Sequence, residues 1–381
     1  TTRRLAGGLS LLPMLAALIF AFYPEAILLG ASQMREPFLM TFIAMAFHGL
    51  TEWQATRKKT PWVWILFALA GMLFISPGFV VVTLIALAGW LYFSRSSAGT
   101  RGEHKIPWQV IAGAVGLLIL ALVVVTASWD SLVAVKGSGL FGVIGNWARA
   151  TARWNAYLLG RSSGIVQLLF QALPPALALP FVAGYGVLQT DLPAILLEPG
   201  IPFWQILGIF RALGWYLLLP LLAFAPIAVG NLSAAPTRNN AKTPVLEAGI
   251  QKPVRVSPET YARAWLWMSL VVWGWIFIAA LRGGGDQWDN PRYRVILLAW
   301  MAPLAALAFS QIRANAGRWF WRICGVEAII LLVFGHWYSW RYLGFGFNLG
   351  IRNTLVIAIG LSVLLVLGDW LWQRIKPSSR L

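Results

Sequence analysis

The sequence predicts an all-α integral membrane protein of about ten transmembrane helices plus one re-entrant or broken helical element. Two observations carry this. Of the 381 residues 59% are hydrophobic and only 11% charged, with a mean hydropathy of +0.71; a soluble domain has to cover itself with polar side chains, and this chain has too few. Apolar runs also recur from end to end at about the twenty residues that cross a hydrocarbon core roughly 30 Å thick.

In chain order the runs lie at 5–22, 37–53, 62–75, 78–94, 107–127, 203–229, 262–281, 295–312, 321–338 and 351–373. Pro24 ends the first, and Pro37 opens the second at a position where its missing N–H does no harm. The run 62–75 is short for a crossing and is separated from the next by "SPGF" (76–79), where Pro77 and Gly78 break a helix. A further run, 165–188, carries Pro174, Pro175 and Pro180 and reads as half-helices that do not cross. No fixed repeat and no soluble domain interrupts the chain, so residues 1–381 form one polytopic domain.

Orientation follows from the basic residues. Arg3 and Arg4, residues 57–59, Arg95 with Arg101 and Lys105, the 230–263 region, Arg313 with Arg318 and Arg322, and the tail hold 19 of the 30. These segments are expected in the cytoplasm, including the long loop 230–261, which leaves 23–36, 128–164 and 282–294 as outer loops. A single crossing by 165–188 would put the basic 230–263 region outside, which is why that run is read as re-entrant.

Several function classes drop out. The net charge of +17 is accounted for by basic loops, and no basic stripe with interleaved aromatics lies outside the spans, so a nucleic-acid partner is not expected. Cys324 is the one cysteine, His48, His104 and His336 are far apart, and no HExxH or phosphate-loop pattern is present. No metal site or cofactor is expected; a divalent metal's involvement is not legible in the residues. The chain opens "TTRRLAGG", without methionine or leader, and is expected to continue upstream.

The candidate site residues lie on the outer side. In "LRGGGDQWDNPRYR" (281–294) five charges gather beside three glycines. Arg292 and Arg294 offer forked donors suited to phosphate, Asp286 and Asp289 are carboxylates able to serve as bases, and Tyr293 sits between the arginines. The glycines allow close backbone approach or a moving loop; the competing reading is a solvated loop. Arg35 and Glu36 immediately precede a helix start, where Glu36 is either a dipole-stabilised cap or an acid facing an outer cavity, with Arg35 available to an anion. Arg149 and Arg153, spaced i, i+4 near Trp147 and Trp154, read first as an interfacial helix and second as phosphate ligands. Glu327, in "CGVEAIILLVFG", is taken as the acid within a span, with a structural partner favoured over a catalytic role.

The order "YPEAILLGASQMREP", a span, "RKK", a span reaching "SPG", and a late "DNPRYR" resembles the C-terminal two-thirds of GT-C superfamily glycosyltransferases, the group of protein mannosyltransferases and lipid A aminoarabinose transferases. The resemblance implies a multi-pass enzyme of the bacterial inner membrane that moves a sugar from a polyprenyl-phosphate donor to an acceptor at the extracytoplasmic face. Glu36 would match the family's acid at the outer start of a helix, and Arg292 with Tyr293 its late "RY" element near the donor. The family's catalytic carboxylate lies in a first outer loop that has no counterpart in these residues. Two alternatives stand beside the enzyme: a non-catalytic membrane subunit retaining the scaffold, and a transporter or flippase of lipid-linked sugars. The prenyl tail is expected to lie along 165–188 and 203–229.

Overall fold

The computed structural model describes residues 11–56, 58–94, 174–189, 202–234, 258–283, 289–312 and 317–375, with scattered helical positions between 112 and 153. Among the described residues every element is helical. They are α1 (Leu11–Phe22), α2 (Pro24–Gly30), α3 (Glu36–Thr56), α4 (Pro61–Ile75), α5 (Pro77–Phe93), α6 (Pro175–Leu188), α7 (Pro202–Ala234), α8 (Pro258–Gly283), α9 (Asp289–Arg294), α10 (Leu298–Gln311), α11 (Gly317–Tyr338) and α12 (Gly350–Ile375). A single 3-10 turn, Val295–Leu297, joins α9 to α10, and a π-helical turn, Ser339–Leu343, follows α11.

Proline sets many of these boundaries. It opens α2, α4, α5, α6, α7 and α8, where its fixed φ suits the first helical turn and its missing N–H removes nothing. Inside a helix it frees a carbonyl four residues back, and the fold must satisfy that group. Pro226 in α7 does this to Leu222, whose carbonyl accepts the Trp273 indole N–H from α8 at 3.1 Å. Other indoles tie neighbouring helices in the same way: Trp267 donates to Ala86 O at 2.9 Å and Trp215 to Val187 O at 2.9 Å.

Among the described residues five helices are long and apolar enough to cross a membrane: Pro202–Asn231, Ala262–Gly283, Asn290–Gln311, Gly317–Arg341 and Gly350–Trp372. The bent pair α1 and α2, turned by 55° at Tyr23, makes a sixth if it is one broken span. Helices α4 and α5 are apolar but only 15 and 17 residues long, so the short third run recurs in the structure as a short helix. The run 107–127 lies largely outside the described residues.

α10 is the hub. It packs against α1, α3, α7 and α8, and 78% of its span's apolar window is buried. The spans of α11 and α12 are the opposite, 6% and 11% buried; they pack on each other and, through α11, on α7. Phe320 of α11 meets Phe224 of α7 edge to face, and Arg322 Nε donates to Asp369 Oδ2 at 2.6 Å to join the hairpin. The rest of that pair presents leucine, valine and isoleucine outward, a surface whose solvent in a bilayer is hydrocarbon.

Candidate functional site

One end of the bundle gathers α2, the start of α3, the C-terminal ends of α6 and α8, the first half of α7, and α9. The close approach of α8 and α9 depends on Gly283: a Cβ there would meet Asn290 Cα at 2.6 Å. Here Gly283 supplies close backbone packing; Gly284 and Gly285 lie outside the described residues. Asn290 donates from Nδ2 to Gly186 O at 2.7 Å and fixes α9 to the end of α6. The Trp275 indole of α8 donates to Tyr293 O at 2.9 Å and holds the other side.

On this support sits a charged cluster centred on Glu36. Its side chain is 2% exposed, and one oxygen, Oε1, receives two cations: Arg292 Nε at 3.2 Å and Arg35 Nε at 3.6 Å. Arg292 Nη2 donates to the Tyr293 hydroxyl at 2.9 Å, and its guanidinium lies 4.8 Å from that ring's centroid. Arg35 is 51% exposed and Arg292 26%, so both guanidiniums reach solvent from a carboxylate that does not. Glu36 is also the first residue of α3, where the helix dipole favours its negative charge. Two cations on one carboxylate leave a positive excess at the lip of the bundle, with forked donors suited to a phosphate.

Below this cluster, in the body of the bundle, α1, α3 and α10 leave an apolar hollow of about 270 Å³. Small residues make it: Ala16 and Ala17 of α1, Ala44 of α3, and Ala299 and Ala302 of α10. Pro13, Phe20, Phe47 and Pro303 complete its wall. Ala44 is eight residues along α3 from Glu36, about 12 Å at the helical rise of roughly 1.5 Å per residue.

The sequence groups Arg292 and Arg294 as one element, and the structure separates them. The stretch Asp289–Arg294 is a helical turn and not an open loop, and positions i and i+2 on a helix face about 200° apart. Arg292 turns to α3, while Arg294 turns inward, 2% exposed, its guanidinium 3.3 Å from the Trp215 ring centroid. Tyr23, at the α1–α2 break, lies within electrostatic reach of Arg294. Beside it Glu25 and Arg211, 3% and 4% exposed, form a two-pronged ion pair, with Nε on Oε2 and Nη2 on Oε1, the latter at 3.1 Å. The sequence reading missed this pair, whose members are 186 positions apart. The available signal was Pro24-Glu25, an acid in the first turn of a helix that the reading takes as loop.

The remaining candidates do not join this cluster within the described residues. Positions 149 and 153 are helical and exposed, and Arg149 Nε donates to Gly145 O at 3.3 Å within its own helix. Asp286 lies outside the described residues, and of Asp289 only the backbone is described, as the first residue of α9. Glu327 is half-buried midway along α11, and its Oε1 makes no hydrogen bond, so the expected partner is not seen there. Nor is it the one acid within a helix that the sequence reading counts: Glu52 lies in α3 and Asp369 in α12. Among the described residues no group of three or more His, Cys, Asp or Glu side chains comes together.

No protein-family model, curated protein or solved structure matches this chain.

Proposed function

We propose that this chain binds a polyprenyl-phosphate-linked sugar at the Glu36 end of the bundle and serves glycosyl transfer from it at the outer face of a bacterial inner membrane. The observation that carries the reading is the vertical order of chemistry: a carboxylate-tethered pair of guanidiniums, Arg292 and Arg35, above an apolar hollow lined by α1, α3 and α10. An amphiphile with an anionic head and a prenyl tail suits both halves at once. In this reading Arg292 and Arg35 hold the phosphate, Tyr293 steadies Arg292, and Glu36 orients both cations. The tail follows α1 and α3, in place of the α6–α7 path the sequence suggests. About ten crossings, a re-entrant 165–188 element and the cytoplasmic 230–261 loop belong to the same proposal.

The transfer breaks the bond between the anomeric carbon and the phosphate oxygen and forms one to an acceptor hydroxyl oxygen. The acceptor proton passes to a carboxylate, and polyprenyl phosphate leaves with an added negative charge that the guanidiniums stabilise. Both carboxylates described at this end, Glu25 and Glu36, are committed to arginines. Asp286 and Asp289 of the adjoining segment are therefore the proposed bases. The same commitment favours one second reading, a subunit that holds the donor without performing chemistry.

Purified chain given a radiolabelled polyprenyl-phosphate sugar should bind it and release polyprenyl phosphate when acceptor-containing membrane extract is added, and Arg292→Gln should lose both. Binding without release supports the subunit reading. Absence of binding in the folded wild-type protein refutes both.

A further inference from the structure

Arg294 faces away from the Glu36 cluster, and its surroundings are those of an interior site. The charged or hydroxyl groups that act on it are Tyr23, Glu25 and Arg211. Glu25 is the one acid among them, and both of its oxygens are already held by Arg211. Two guanidiniums thus share a single carboxylate, with Arg294 2%, Arg211 4% and Glu25 3% exposed. Two donor atoms of Arg294, Nε and Nη1, make no hydrogen bond at all. The residue stands at the start of the candidate span Asn290–Gln311, where an ionised side chain is costly unless paired.

The Trp215 face relieves part of that cost, because an aromatic ring attracts a guanidinium through its quadrupole. It supplies neither a countercharge nor acceptors for the two open N–H groups. Water would supply acceptors and no charge. An anion supplies both, and burial this complete restricts it to a small one.

We propose that Arg294 holds one small monovalent anion, of halide size and charge, in the interior between α2, α7 and α9. The site is separate from the Glu36 cluster, because Arg292 and Arg294 project from opposite sides of α9, and it does not depend on the donor reading. Its structural consequence is to fasten α9 to α7, beside the α1–α2 break at Tyr23.

The test uses the purified full chain in detergent, with thermal melting followed in chloride and in gluconate at equal ionic strength. The wild-type midpoint should rise with chloride, and above the dissociation constant rise with the logarithm of its concentration, since a ligand at concentration L that binds only the folded state stabilises it by RT ln(1 + L/Kd). Arg294→Met keeps a chain on the Trp215 ring without the charge, and should melt at the same temperature in both salts. Iodide, a quencher of tryptophan fluorescence, gives a second arm that survives if Arg294→Met does not fold. Wild type should show a saturable component of quenching, and Trp215→Phe should lose it. Chloride-independent melting together with purely linear, collisional quenching would overturn the proposal in favour of buried water. A chloride stabilisation that persists in folded Arg294→Met would overturn the assignment to Arg294. Stabilisation by inorganic phosphate or polyprenyl phosphate but not by halide, dependent on Arg294, would overturn the identity of the ion.

Discussion

Removing the Glu25 carboxylate should be among the most damaging single changes in the described protein. In Glu25→Gln the Arg211 guanidinium stays where it is, 4% exposed, and loses its countercharge. The two hydrogen bonds it donates to that carboxylate are charge-assisted, worth about 1.5–3 kcal/mol each net. Leaving one member of a buried pair uncompensated typically costs about 3–5 kcal/mol. We take that as the expected loss, since the two figures describe overlapping parts of one interaction. Arg211→Met alone strands Glu25 in the same way, although Arg294 lies within electrostatic reach and offsets part of the loss. The double variant Glu25→Leu with Arg211→Met replaces the pair by apolar side chains and should recover most of the stability, because such replacements are often neutral or favourable. The assay is reversible unfolding in mixed micelles of increasing SDS fraction, followed by tryptophan fluorescence, with wild type, Glu25→Leu, Arg211→Met and their double variant closing a double-mutant cycle. A loss in Glu25→Gln below about 1 kcal/mol would place the pair with exposed ion pairs and refute the reasoning. A double variant worse than the sum of the singles would refute it equally.

Three other outcomes follow from the same geometry. Gly214→Ala puts a Cβ 2.6 Å from Pro24 Cδ and should cost about 1–3 kcal/mol, the usual price of overpacking, read in the same unfolding assay. Ala44→Trp fills the hollow between α1, α3 and α10 and should abolish prenyl-phosphate binding while the Arg292–Glu36 pair stays intact, checked by ligand-induced melting shifts. Asp369→Asn removes a partner whose side chain is 41% exposed, and screening there should hold the stability change under about 1 kcal/mol.

The helices were legible because their signals are local. Apolar run length and proline positions predict starts at 62, 78 and 203, against Pro61, Pro77 and Pro202 in the structure. Sequence reading placed Glu36 at a helix start and Arg292 near the lip of a later one. It did not pair them, since no spacing rule links residues 256 positions apart. It also took 282–294 as open loop, and that error hid the opposed directions of Arg292 and Arg294: α8 runs on to Gly283 and α9 begins at Asp289. Two residues apart on a loop suggests one binding element, whereas two residues apart on a helix separates a surface cation from a buried one. The hollow had no sequence signature either, because alanines from α1, α3 and α10 make it together.

The most direct measurement is photo-cross-linking of the purified chain with a polyprenyl phosphate that carries a diazirine in its tail, followed by mapping of the modified residues. The account predicts adducts on the α1, α3 and α10 lining, such as Ala17, Ala44 and Ala299. Those adducts should be competed by unlabelled polyprenyl phosphate, left unaffected by polyprenol without phosphate, and lost in Arg292→Gln. Adducts spread over the exposed faces of α11 and α12, or equal competition by the uncharged polyprenol, would contradict it.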